Sequence, residues 1–169
     1  MQRKKGKIMS EKKFFPMFID ISDKVFLVIG GGKVAARRVK TLVNFGCTIK
    51  LIAPEVDDEI INLHYDKIHI IKRKYDITDM DEVDFCLAAT DIAERNSKIT
   101  WDAKLNHIAV NNASDKNDCD FYFPGVVDAA PLTIGICASG VDHKLAKQVT
   151  DNIREKIEHM LEGDQKENI

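Results

Sequence analysis

Residues 24–29 (KVFLVI) form an apolar run that ends abruptly at Gly30, Gly31 and Gly32. A strand that is apolar at almost every position is buried on both faces, as an inner strand of a parallel sheet is. Beyond the glycines, Ala35, Val39, Leu42 and Gly46 recur at i, i+4, i+7 and i+11. That spacing predicts a helix with one apolar stripe, closed by Gly46 as its C-cap. Strand, glycine turn and helix follow one another as the G-x-G-x-x-G/A fingerprint requires, here Gly30-x-Gly32-x-x-Ala35. Gly30 permits the tight turn. Gly32 withholds a Cβ so that a pyrophosphate can approach the backbone. Ala35 keeps the helix close to the strand, and the helix N-terminus offers N–H groups to the phosphates. The turn therefore predicts dinucleotide binding.

The rest of the chain alternates in the same manner. Strands are expected at 48–53 (TIKLIA), 68–72 (IHIIK), 83–90 (VDFCLAAT) and 107–111 (HIAVN), with helices at 55–65 and 93–105. This order predicts an α/β fold, a Rossmann-type doubly wound parallel sheet. After Asn111 the pattern changes. Segments 120–127 and 132–138 read as an antiparallel hairpin turning at Asp128-Ala129-Ala130-Pro131. From Asp142 a helix carries Leu145, Val149, Ile153, Ile157 and Met160 on one stripe. A hairpin and one helix bury little alone, so this part is expected to pack on the sheet edge or on a second subunit. The expected organisation is a leader over 1–13, a dinucleotide-binding domain over 14–114, a hairpin-and-helix segment for dimerisation and substrate over 115–162, and a tail over 163–169.

Composition excludes several classes of function. A net charge of -2 over 169 residues gives no general attraction to nucleic acid, and no apolar run approaches the length of a membrane span. The basic, polar leader lacks the apolar core of a secretory signal. The four cysteines, Cys47, Cys86, Cys119 and Cys137, match no CxxC pattern and read as reduced thiols of a cytoplasmic protein. No metal-ligand spacing is present.

Two further stretches lie where such a sheet binds ligand, at the carboxyl ends of its strands. The second strand ends in Ala53-Pro54-Glu55, with Glu55 placed for the adenosine ribose or Pro54 for the adenine. No arginine favours a 2′-phosphate there, so NAD is expected over NADP. The fourth strand ends in Ala88-Ala89-Thr90-Asp91. Its small residues admit a ligand, and Thr90 either contacts the ribose or nicotinamide end or caps the following helix, as Asp91 also could.

The string FFPMFIDISDKVFLVIGGGKVAARRVKTLVNFG resembles the opening of the precorrin-2 dehydrogenases, the N-terminal half of siroheme synthases. LAATD with Asn96 five residues on, and VNNASDKNDCDFYFPGVV followed by PLTIGICASG, extend the resemblance from about Phe14 to Ile157. It implies NAD-dependent oxidation of precorrin-2 to sirohydrochlorin by a homodimer in siroheme or cobalamin synthesis, in a stand-alone form without a methyltransferase domain. Some members of the family also insert iron or cobalt into the product. It extends the cofactor contacts to Lys33, Val34, Pro54 and Glu55, beside Gly30, Gly31, Gly32, Thr90 and Asn111.

The resemblance breaks in two places, first at the V-N-x-x-D motif. Relatives with both activities carry an aspartate three residues after the asparagine of V-N-x-x-D. Here Asn111 matches the asparagine, and Ser114 stands at the aspartate position with Asp115 beside it. Serine is no carboxylate base at neutral pH. Either Asp115 handles the proton or hydride geometry suffices, and metal insertion is the activity placed in question. His143, where relatives have proline, is a third candidate for proton transfer or is a surface residue at a helix start, with Asp142 as its N-cap. Arg37, Arg38, Lys116, Lys144 and Lys147 are the candidate basic partners of a polycarboxylate substrate. The rival from another class is a non-catalytic NAD-binding regulatory module.

Overall fold

A computed structural model describes residues 14–138 and 142–167, with the side chains of His143 and of 161–167 outside the described set. The expected leader over 1–13 also lies outside it. Five parallel strands, β1 (Val25–Ile29), β2 (Thr48–Ile52), β3 (Ile68–Ile71), β4 (Phe85–Ala88) and β5 (Ala109–Asn112), lie in the order β3-β2-β1-β4-β5. The order reverses between β1 and β4, so the crevice in which open α/β sheets bind ligand falls beside the glycine turn.

Both faces of the sheet are covered. On one, Val28, Ile49, Leu51 and Leu87 meet Ala35, Ala36, Val39 and Leu42 of α1 (Lys33–Val43). On the other, Leu27, Ile29, Cys86 and Val110 meet Ile99 and Ala103 of α3 (Ala93–Leu105). Strands buried on two faces account for the continuous apolar runs by which the sequence announces them. The buried Cys47 and Cys86 are core residues, and burial pushes the Cys47 thiol up to about 11.

Three expectations need correction. The helix expected over 55–65 shrinks to one turn, α2 (Asp58–Ile61), capped by the Asp57 carboxylate, because only Ile60 is buried and nothing extends the apolar stripe. The segment 120–124 is not strand. Phe121 and Phe123 alternate because they lie on the face of the sheet, where with Phe26 and Phe85 they form an aromatic cluster with centroids 4.8–6.4 Å apart. The strands of the hairpin, β6 (Gly125–Ala129) and β7 (Leu132–Ile136), pair up to Ala129 opposite Leu132, leaving only Ala130-Pro131 as the turn.

The last helix, α4 (His143–Glu167), starts where expected, with the Asp142 carboxylate accepting from the Leu145 N–H at 2.8 Å, and runs across the expected tail boundary at 163. Its stripe is half covered. Val149, Ile153 and Ile157 are partly buried, whereas Leu145 and Met160 are exposed. The Arg154 side chain donates to the Val126 carbonyl of β6, and Thr150 fits against Gly125, where an added Cβ would lie 2.2 Å from its hydroxyl.

Arg38 fastens the segment leading into the hairpin to α1. Its guanidinium lies 4.5 Å from the Phe123 ring centroid and donates to the Phe123 carbonyl at 3.3 Å. Burial, followed by the neighbouring Arg37, pushes its pKa down to about 10. It therefore acts as a strut between α1 and that segment. Arg38→Ala should cost about 1–2 kcal/mol by losing the stacking and the hydrogen bond. Thermal melts should fall by roughly 3–6 °C for a domain of this size. Arg38→Lys should recover little, because an ammonium cannot lie flat on a ring.

Candidate functional site

The three glycines do different work. Gly30 has φ +117°, and an added Cβ would lie 2.2 Å from the Ala89 carbonyl oxygen. The close approach beside the small residues of β4 is thus made by the protein's own turn. A Cβ on Gly31 would lie 2.2 Å from the Glu55 carbonyl oxygen and 2.9 Å from Val56 Cα, and its carbonyl accepts from the Asp57 N–H. Gly31 therefore seats the loop after β2 against the turn. Gly32 is unlike both. Its φ of -85° suits any residue, and an added Cβ would meet nothing within 4 Å.

Gly32 is also the N-cap of α1, with no side-chain cap and no acidic residue in the first turn. Helix N–H groups and the positive dipole end thus face an open, uncapped space, which is what a pyrophosphate requires. These residues fit a dinucleotide. Gly32 and the first-turn residues Lys33 and Val34, both exposed, would hold the phosphates, and the exposed Pro54 and Glu55 after β2 would flank the adenosine.

At the carboxyl ends of β4 and β5 the structure joins residues that the sequence kept apart. Asn96 is fully buried in α3. Its Oδ1 accepts from the Thr90 N–H at 2.9 Å and from Thr90 Oγ1 at 2.7 Å, and its Nδ2 donates to the Thr90 carbonyl at 3.0 Å and to Ser114 Oγ at 2.5 Å. Thr90 and Ser114, 24 residues apart in sequence, are thereby fixed to one another. The N-cap of α3 is Ile92, without a side-chain cap. Thr90 Oγ1 instead accepts from the Ile92 N–H, and Asp91 is exposed beside Arg95.

The loop after β5 is held from below. Asn112 Oδ1 accepts from the Ser114 and Asp115 N–H groups at 2.9 and 3.3 Å, and the Cys119 thiol packs against the Asn112 backbone. Asn111 faces inward. Its amide donates to the Phe121 carbonyl at 2.8 Å, so its visible part in the site is structural. Ser114 and Asp115 are both exposed at this edge, and Asp115 Oδ1 also accepts from the Asn117 N–H. His143 opens α4, and its side chain lies outside the described residues. Among the basic candidates Lys147 pairs with Asp151, while Arg37, Lys116 and Lys144 are exposed. Among the described residues no group of three or more His, Cys, Asp or Glu is arranged to hold a metal ion.

Sequence reading passed over the organising role of Asn96 and all of Asn112. The signal for Asn96 was its place six residues after Thr90, within reach of the strand end from the first turns of the helix. A surface concavity lined by Met80, Asp81, Glu82, Val83, Asp84, Asn106 and Ile108 lies at the amino ends of β4 and β5, opposite the edge at which such sheets work. None of the helices among the described residues is long and apolar enough to cross a membrane.

Comparison with known proteins agrees with this geometry. Residues 17–125 match the NAD(P)-binding family NAD_binding_7. A multifunctional siroheme biosynthesis protein of Ruminiclostridium josui is 38% identical over 142 residues, covering 83% of this chain and 28% of that protein. The siroheme synthase of Zymomonas mobilis is 34% identical over 149 residues, covering 88% of this chain and 31% of that protein. The chain thus spans about three tenths of the length of the curated relatives it matches. Among solved structures, the precorrin-2 dehydrogenase SirC superposes with a TM-score of 0.70 at 25% identity, covering 85% of this chain and 71% of that one. With its glycine turn, its switch point between β1 and β4 and these relatives, the chain belongs to the NAD(P)-binding family represented in siroheme biosynthesis proteins.

Proposed function

We propose that the chain oxidises precorrin-2 to sirohydrochlorin with NAD as the electron acceptor. The observation that carries the reading is Gly32, a glycine required by neither backbone angle nor packing, opening an uncapped helix beside the edge that holds Thr90 and Ser114. The similarity to siroheme biosynthesis proteins and to a precorrin-2 dehydrogenase supplies the substrate class.

NAD, when bound, supplies the carbon that accepts a hydride from a saturated position of the macrocycle. The substrate loses one hydride and one proton, so two electrons leave with the hydride and the proton needs an acceptor. Ser114 is no base at neutral pH. Asp115 is the neighbouring carboxylate, exposed at the same edge, and takes the proton or passes it to water. The Gly32 turn with Lys33 and Val34 grips the phosphates, Pro54 and Glu55 flank the adenosine, and Thr90 flanks the nicotinamide. Asn111 supports the loop. His143, at the head of α4, stays a candidate for proton transfer.

We further infer a cytoplasmic homodimer. Leu132, Leu145 and Met160 are 48%, 51% and 69% exposed on the hairpin and α4, which supports a second copy covering that stripe. Cys47 and Cys86, buried as thiols in the core, support a reducing compartment.

Mixing the protein with precorrin-2 and NAD should give one NADH per sirohydrochlorin formed, followed at the absorbance of each. Dinucleotide binding without turnover would favour the regulatory module instead. Adding cobalt or ferrous iron after oxidation then separates plain dehydrogenation, the expected outcome with Ser114 at the aspartate position, from a bifunctional enzyme.

A further inference from the structure

The buried Asn96 amide uses its full capacity: two acceptances from Thr90, one donation to the Thr90 carbonyl and one to Ser114 Oγ. Turning the amide over would set its NH2 against the Thr90 N–H and its oxygen against the Thr90 carbonyl. Its orientation is thus dictated by Thr90, and Ser114 receives an N–H and not an oxygen. The Ser114 backbone is fixed independently, through its N–H to Asn112 Oδ1. With Asn96 donating to the serine oxygen, the serine proton has no acceptor in that direction and is presented to the exposed edge. Accepting a hydrogen bond also polarises the hydroxyl as a donor.

We propose that Ser114 donates a hydrogen bond to an acceptor oxygen of the bound ligand, the carboxamide of the dinucleotide or a carboxylate of the tetrapyrrole, and that Asn96 is the positioning residue that fixes its polarity. The identity of the ligands rests on the function proposed above; the polarity of the network does not. Ser114 thereby has a binding role that an aspartate in its place would reverse. A carboxylate can only accept, and it would repel a substrate carboxylate.

The test is a pair of binding titrations, with NADH by its fluorescence and with sirohydrochlorin by its absorbance, on wild type, Ser114→Ala, Ser114→Thr and Asn96→Asp. Ser114→Ala should raise one of the two dissociation constants about tenfold, the ordinary worth of one hydrogen bond to a polar or charged acceptor. The constant that moves identifies the acceptor as the carboxamide or the carboxylate. Ser114→Thr, which keeps the hydroxyl, should restore it. Asn96→Asp keeps the acceptor for Thr90 but offers Ser114 an oxygen, drawing the hydroxyl inward. It should raise the same constant by a similar factor, and Ser114→Ala added to it should change nothing more. The proposal is overturned if neither constant moves in Ser114→Ala, or if Asn96→Asp lowers the melting temperature and leaves both constants as they were. Should Asn96→Asp fail to fold, the alanine and threonine variants decide alone. Wild type that binds NADH without oxidising precorrin-2 would defeat the dehydrogenase reading, and the NADH titration would then decide the role of Ser114.

Discussion

Replacing Gly32 with aspartate should weaken NAD binding on the order of 100-fold while leaving the protein as stable as before or slightly more so. The two halves of this expectation have separate causes. An added Cβ at Gly32 meets no protein atom within 4 Å, and φ -85° suits any residue, so folding has no objection to a side chain. Aspartate is moreover a favoured N-cap, and α1 has no side-chain cap, so a gain of a few tenths of a kcal/mol is expected. The phosphates experience the reverse. A carboxylate placed where they approach repels them at a few ångströms, by about 4 kcal/mol at an effective dielectric constant near 20, of which about 2.7 kcal/mol would already give 100-fold. Gly31→Ala should behave in the opposite way. Its Cβ would lie 2.2 Å from the Glu55 carbonyl oxygen, so the loop must shift, at about 2–3 kcal/mol. Equilibrium dialysis with NAD and a denaturant melt on both variants check the pair. A Gly32→Asp variant that binds NAD as wild type does would remove the pyrophosphate from this turn.

How legible these features were depends on what the sequence must do to produce them. Buried parallel strands need mostly apolar residues, so KVFLVI, TIKLI and FCLA mark themselves even with Lys50 inside the second, and helix α3 begins and ends at the expected Ala93 and Leu105. Alternation is less specific. Phe121 and Phe123 have the period of a strand but lie across the sheet's apolar face without pairing. Length also misleads when burial is absent, as in the single turn Asp58–Ile61.

The site divides along the same line. The glycine turn is a local device, complete within a few residues, and could be read directly. Even there the sequence could not apportion the glycines, because the collisions of Gly30 and Gly31 are with Ala89 and Glu55, distant in the chain. The link between Thr90 and Ser114 is made through Asn96, a contact that exists only once β4, β5 and α3 are assembled. Asn112 was illegible for the same reason, since what matters is which loop amides its side chain reaches.

The segment between β3 and β4 carried no signal for a strand or a site, yet it holds a buried, paired charge. Asp79 is 2% exposed. Its carboxylate accepts from both terminal nitrogens of Arg73 at 2.7 and 2.6 Å and from the Asp76 N–H at 2.9 Å, with Lys50 Nζ at 3.8 Å. The Arg73 hydrogen bonds are the main cause that holds its pKa below the ordinary 3.8, against the opposing effect of burial. Asp79→Asn leaves a guanidinium facing an NH2 group and an ammonium close by. Breaking a buried pair costs about 3–5 kcal/mol, and the half-exposed Arg73 places this one near the lower end. A loss near 3 kcal/mol corresponds to a fall of roughly 6–12 °C in melting temperature. The pH dependence follows from the sign of the shift. A carboxylate with a depressed folded pKa contributes stability above its unfolded value and loses it as pH falls through the folded one. The difference in unfolding free energy between wild type and Asp79→Asn should therefore be constant from pH 5 upward and narrow progressively below 3.8. Urea melts from pH 2.5 to 7 measure that difference directly, and a gap that stays open in acid would show that Asp79 acts through shape and not through charge.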